Sequence, residues 1–325
     1  MVTVARTQPE PEVEPPPPSR RGRRRREKYN RRETIAGFLF ISPWIVGFLV
    51  FTVISMIWSL RLSFSNYDLA TNRGTPVGLA NYQLLLTDPK VLTSLYNTFF
   101  YTLLAVPLEM IIALALASLL ATVRRGSGPF RTIFFLPKMT PVVATASVFL
   151  LLLNGNTGAI NNFLGLFGIP GPQWLTDPDW VKPAIVIMSL WTVAGSMVIL
   201  LAAQQNVPRE LYEAAETDGA GRLRQFFSIT IPLISPTLFF LTIVNTIAAL
   251  QVFDQAYLLF FRDGTSSAPD AALFYGVYLF QQAFRQFNFG LAAAMAWLLF
   301  VIILGITAIQ LKVGNRLVYY EGGAR

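Results

Sequence analysis

The chain has 325 residues, 53% hydrophobic and 14% charged, with a formal net charge of +8 and a mean hydropathy of +0.49. That is too apolar for a soluble domain of this size, and the apolar residues come in blocks long enough to cross a bilayer. The sequence holds no Cys, no His and no Gly-Lys dipeptide. Disulfides, thiolate metal sites and Cys nucleophiles are thereby excluded, zinc and serine–histidine chemistry lose their usual residues, and no P-loop exists.

Residues 1–33 read as a disordered basic tail: it has ten Lys/Arg from Arg6 to Arg32, nine of them in "EPEVEPPPPSRRGRRRREKYNRR", which also has prolines and almost nothing to bury. An Arg run of this kind suits nucleic acid in general. Directly before a membrane span, the better reading is a cytoplasmic-side marker touching anionic headgroups, with no nucleic-acid partner.

Six spans follow, at 35–58, 99–121, 133–153, 184–203, 233–252 and 291–311, each near the ~20 residues a helix needs. With the N-terminus inside, the inner segments carry 20 of the 26 Lys/Arg, including four from Arg124 to Lys138. Without the tail the balance is still ten against six (Arg61, Arg73, Lys90, Lys182, Arg262, Arg285). The positive-inside rule therefore predicts an all-α integral membrane protein with both termini cytoplasmic. The transmembrane domain runs over 34–315, followed by a cytoplasmic tail at 316–325. The segment 62–97 alternates turn signals with apolar anchors. In 271–289, Phe274, Tyr275, Tyr278, Phe280, Phe284 and Phe287 suggest a helix in the outer interface, where aromatic belts gather.

The stretch between spans 4 and 5, 205–232, is unlike its flanks. Pro208 suits a first helical turn, and Arg209 to Thr217 are good helix formers, with Leu211, Ala214 and Ala215 on one face and Arg209, Glu213 and Glu216 around the rest. Gly219 permits the left-handed backbone that ends a helix, and Asp218 tolerates the turn. A second short amphipathic helix, from Gly221 to Ile229, runs into Pro232. The product is a helix–turn–helix knob on the cytoplasmic side. An interfacial hairpin lying on headgroups is the plainer reading, but an anionic leaflet repels its acidic side chains.

"EAAETDGAGRLRQFFSITIP" resembles the EAA loop of ABC-importer permeases, in particular the maltose-type carbohydrate family, at Glu213, Ala214, Ala215, Asp218, Gly219, Ala220, Phe226 or Phe227, Ile229 and Pro232. "FLFISPWIVGFLVF", "VGLANYQLLLTDP" and "FRTIFFLPKMTPVVA" extend the resemblance over roughly 35 to 315. The chain departs from it before the last span, where "FFRDGTSSAP" stands in place of a GGP-like turn. The resemblance implies a subunit of the prokaryotic cell membrane that pairs with a second, homologous permease. It implies two separate ATPase subunits, which bind ATP and Mg, docked on the knob, and a solute-binding protein that delivers the solute. No cofactor or metal is expected in this chain, and no catalytic residue.

Polar residues within spans are costly and are functional candidates by default. Asn245 in span 5 shares a helical face with Ala248, Ala249 and Val252, and the resemblance assigns that half of the helix to the sugar path. The competing role for Asn245 is bonding a neighbouring helix. Span 4 adds Trp191, Thr192 and Ser196, with packing favoured for Trp191. Glu109 is the one carboxylate well inside a span, read as pore-facing or interfacial with hydrogen-bonded partners. A proton relay would need a partner in the membrane, and none stands out in the other five spans. A self-sufficient secondary transporter would want coupling carboxylates and inverted repeats, and no half-to-half match is visible. An intramembrane enzyme has no catalytic set to work with.

Overall fold

The structure is a computed structural model and describes residues 31–68, 73–123, 127–261 and 269–317. The basic tail before residue 31, Arg124 and Arg125, the atypical turn at 262–268 and the chain beyond 317 lie outside the described residues. The chain divides into two compact units, Met1–Ile57 and Trp58–Arg325.

In the first unit, α1 (Arg31–Gly47) leads into a π turn, Phe48–Val53. Pro43 lies inside α1, where it removes a backbone donor. The unit boundary falls in α2 (Ile54–Ser63).

The second unit continues with an antiparallel hairpin, β1 (Ser65–Asp68) and β2 (Arg73–Pro76), in which Ser65 faces Pro76 and Asp68 faces Arg73. This two-stranded hairpin is a small addition to the expected all-α fold, which is otherwise helical among the described residues. Its strands are too short and polar to register against the apolar spans, and Asn81 of α3 (Ala80–Thr87) holds their root by donating to the carbonyls of Ser63 (2.9 Å) and Ser65 (3.1 Å).

At the centre stands α4 (Pro89–Thr122), 34 residues and therefore about 50 Å long. That exceeds the ~30 Å hydrocarbon core, so α4 projects beyond the segment 99–121. Asp88 starts it by accepting the Lys90 N–H at 2.8 Å, with Pro89 at the first position, where a missing N–H costs nothing. Its buried stripe includes Tyr101, Ala105, Val106, Met110, Ala113, Ala117 and Leu120 at three- and four-residue spacing. The alanines let other backbones approach closely, and α4 packs most extensively against two helices introduced below, α9 and α12.

Two expected spans are broken. The third consists of α5 (Ser127–Met139) and α6 (Val142–Leu152), whose axes differ by 95°. Pro141 caps α6 in extended backbone, which the α5 helix cannot continue into. After α7 (Ala159–Gly165), the fourth consists of α8 (Pro178–Leu190) and α9 (Ala194–Gln205), bent by 49°. Beyond it come α10 (Arg209–Thr217), α11 (Arg222–Gln225) and α12 (Ile231–Leu250). Then follow α13 (Asp254–Phe260), α14 (Tyr275–Phe280) and α15 (Phe289–Leu317). Among the described residues, four helices are long and apolar enough to cross a membrane: Thr34–Ser63, Pro89–Thr122, Arg222–Phe260 and Phe289–Gly314. The number is up to six if each bent pair is one span.

The aromatic segment 271–289 is not all belt. Phe274, Tyr275 and Tyr278 are buried, while Phe284 and Phe287 are exposed. Asn97 of α4 donates to the carbonyls of Asp270 (2.8 Å) and Leu273 (2.9 Å), and the Tyr275 N–H donates to Thr98 Oγ1 at 2.9 Å. These bonds draw the segment inward onto α4 and α15. Tyr278 also donates its hydroxyl to Asp88 Oδ2 at 2.6 Å. Burial first, then the Asp88 carboxylate, pushes the Tyr278 phenol up to about 12.

Candidate functional site: a surface knob and a polar cavity

The knob forms as its sequence dictates. Helix α10 spans Arg209–Thr217 behind Pro208 and ends at Asp218. Gly219 takes φ +74°. Its N–H donates to Glu216 O (3.0 Å) and the Ala220 N–H to Ala215 O (2.8 Å). These are the paired bonds of a Schellman motif, which satisfy two of the last helical carbonyls. No atom lies within 4 Å of where a Gly219 Cβ would stand, so backbone conformation alone requires the glycine.

The second expected helix, 221–229, is not a separate element. Helix α11 passes through a π turn, Phe226–Thr230, straight into α12. Pro232 has no N–H to give to the preceding turn, and a local widening of the helix accommodates it. The knob is braced at three points. Two lie within it: Tyr212 shares a 2.8 Å hydroxyl hydrogen bond with Thr230, and buried Gln225 donates to Ala220 O at 3.0 Å; the third is at its root, where Gln204 at the end of α9 donates to Ser118 Oγ of α4 at 3.0 Å. Glu213, Ala214, Asp218 and Gly219 are exposed, Ala215, Ala220, Ile229 and Pro232 half-buried. Leu211, Leu223 and Phe227 add exposed apolar surface.

A cavity of about 290 Å³ opens between α4, α5, α9 and α12. Of the residues expected along the path, Asn245, Ala248, Ala249, Val252, Thr192 and Ser196 line it. Trp191 does not. Its ring packs edge-on against Phe149 of α6, with centroids 5.9 Å apart. Asn245 donates to Ser196 Oγ (3.1 Å) and to Glu109 Oε1 (3.3 Å), and Ser196 donates to the same Oε1 (3.0 Å). Asn245 therefore bonds neighbouring helices and borders the cavity at once. Glu109 faces the same space, as does Lys138, which the charge count places with the inner-side cations. Lys138, in α5 just before the bend, shares this cavity with Glu109, so a charged neighbour for Glu109 exists after all. Periodicity shows no such bend.

A family model described as "Binding-protein-dependent transport system inner membrane component" matches residues 109–319. The chain is 40% identical over 293 residues to the probable ABC transporter permease protein YesP of Bacillus subtilis (strain 168), covering 90% of this chain and 94% of that protein. It is 35% identical over 289 residues to the lactose transport system permease protein LacF of Rhizobium radiobacter, covering 86% and 94%. Among solved structures, a bacterial alginate ABC transporter in complex with alginate pentasaccharide-bound periplasmic protein contains a chain of the same fold. Its TM-score is 0.77 at 22% identity, over 88% of this chain and 96% of that one. The chain thus belongs to the inner membrane component family of binding-protein-dependent transport systems, as a multi-pass membrane protein related to the permease subunits of sugar ABC transporters.

Proposed function

We propose that this chain forms half of the translocation pathway of an ATP-driven importer for a carbohydrate-type solute: a sugar, oligosaccharide or related polyol. It crosses the membrane six times with both termini in the cytoplasm, the bent pairs α5–α6 and α8–α9 each serving as one span. The knob at 205–232 docks into a separate ATPase subunit, which supplies the ATP and Mg chemistry absent here. Two such ATPases, a second homologous permease and an external solute-binding protein complete the assembly.

The knob carries this reading. Its left-handed glycine and its braces make a rigid projection, and its exposed surface mixes alanine and leucine with acidic groups. A passive linker needs none of these, whereas a contact that transmits force needs all of them. The lactose relative's name supports the solute class, and the cavity's carboxamide, hydroxyl and carboxyl groups suit a polyhydroxylated solute.

Reconstitution tests the proposal. The purified chain alone in liposomes should neither hydrolyse ATP nor take up sugar, and uptake should require co-reconstituted ATPase, partner permease and binding protein. Uptake by the chain alone would favour a self-sufficient transporter.

A further inference from the structure

The cavity holds two groups that the pathway reading leaves unused. Both donors to Glu109, Ser196 and Asn245, reach Oε1, and among the described residues no hydrogen bond reaches Oε2. Because Glu109 lines the cavity, that second oxygen is left as an acceptor for whatever enters. Lys138 is its counterpart on the opposing helix, α5. No hydrogen bond or ion pair among the described residues engages it, although it stands close enough to Glu109 to act on it electrostatically.

A Cβ at Gly195 would lie 3.7 Å from Lys138 Cε and near nothing else. That is ordinary contact distance, and the Lys138 stem passes Gly195, next to Ser196, on the cavity wall. Lys138 is an exposed side chain, so a neutral solute that settles against its ammonium displaces water from it without supplying a counter-charge. A solute that brings its own anion regains that energy through charge-assisted hydrogen bonds.

Resting on the pathway reading above, we propose that Glu109 and Lys138 are solute-contacting specificity residues, and that the cavity selects an acidic saccharide. Glu109 Oε2 accepts from ring hydroxyls, and the Lys138 ammonium receives a carboxylate or comparable anionic substituent. Asn245 and Ser196 orient Glu109 from behind. Lysine is the suitable cation for this role, because its single charge on a flexible stem tolerates motion of the solute, whereas a planar guanidinium fork would fix one geometry.

The absence of cysteine makes the test direct. In the assembled complex, Ala248→Cys provides the only thiol of this chain, on the cavity wall, and its labelling by a polar maleimide reports occupancy. The probes are digalacturonic acid and its neutral counterpart, galactobiose. Digalacturonic acid should half-protect the thiol at a concentration about tenfold lower than galactobiose. Lys138→Met should remove that difference while leaving protection by galactobiose in place. Glu109→Gln should weaken protection by both probes by about tenfold, with Glu109→Asp recovering part of it and the partner subunits retained.

Equal protection by the two probes in the parent, or a preference for the acid that survives Lys138→Met, overturns the acidic-saccharide assignment and leaves the pathway intact. Unchanged protection in Glu109→Gln removes Glu109 from the contact set. Protection by neither probe overturns the pathway reading together with this inference.

Discussion

Tyr212 and Thr230 share a 2.8 Å hydrogen bond between their hydroxyls, across 18 residues of chain. One belongs to the knob helix α10, the other ends the π turn from which α12 begins. The bond ties α10 to the root of the helix whose far half lines the cavity.

Tyr212→Phe keeps the ring and removes the brace. The stability cost should be about 1 kcal/mol, the usual net value of one hydrogen bond. The ATPase should remain bound, and the ratio of solute uptake to ATP hydrolysis in liposomes should fall. An unchanged ratio would show that the brace does not carry force.

Asn245→Leu removes the donor that joins α12 to Ser196 and Glu109. Hydrogen bonds between helices in a membrane are worth about 0.6–1.7 kcal/mol, so assembly should survive. Solute-stimulated uptake should fall by about tenfold or more, since the cavity loses its carboxamide and gains an apolar branch. Lower assembly with unaltered uptake per complex would make Asn245 a packing residue.

Tyr278 and Asp88 anchor the far end of α4, away from the knob. The Tyr278 phenol is raised from its ordinary 10 to about 12. The neutral phenol is thus favoured by folding. Its contribution is complete below pH 10 and is lost as the pH rises from about 10 to about 12. Burial raises Tyr275 as well, so the comparison must be with Tyr278→Phe. The parent's thermal midpoint should fall more steeply than the variant's across that window. Parallel curves would show that this phenol does not set the alkaline limit.

Hydropathy made the apolar helices legible, because a bilayer demands length and composition that few other environments do. It could not show the 95° break in the third, since two half-helices have the same composition as one whole helix. The proximity of Lys138 to Glu109 in the cavity was hidden for the same reason. The first helix and turn of the knob were legible nearly to the residue, because Pro208, Asp218 and Gly219 each have a local backbone meaning, whereas the merging of 221–229 into α12 was not. Its brace Tyr212–Thr230 was not, nor was the Gln204–Ser118 bond at its root, since both depend on tertiary proximity. The aromatic segment misled in part because belts and buried rings have one composition. Asn97, an ordinary polar residue in sequence, decides between them by capturing two carbonyls of that segment.

The central claim is that the knob is the mechanical contact with an ATPase, and retention of the ATPase on affinity-tagged permease tests it most directly. Gly219→Val forces a β-branched residue into φ +74°, at a cost of about 1–3 kcal/mol, and should misalign α11 against α10. Glu213→Lys leaves the backbone unchanged and reverses an exposed charge. Both variants should insert and express as the parent does, yet retain less ATPase or hydrolyse ATP without uptake. If both hold the ATPase and transport like the parent, the knob is only a connecting loop and does not couple ATP hydrolysis to transport.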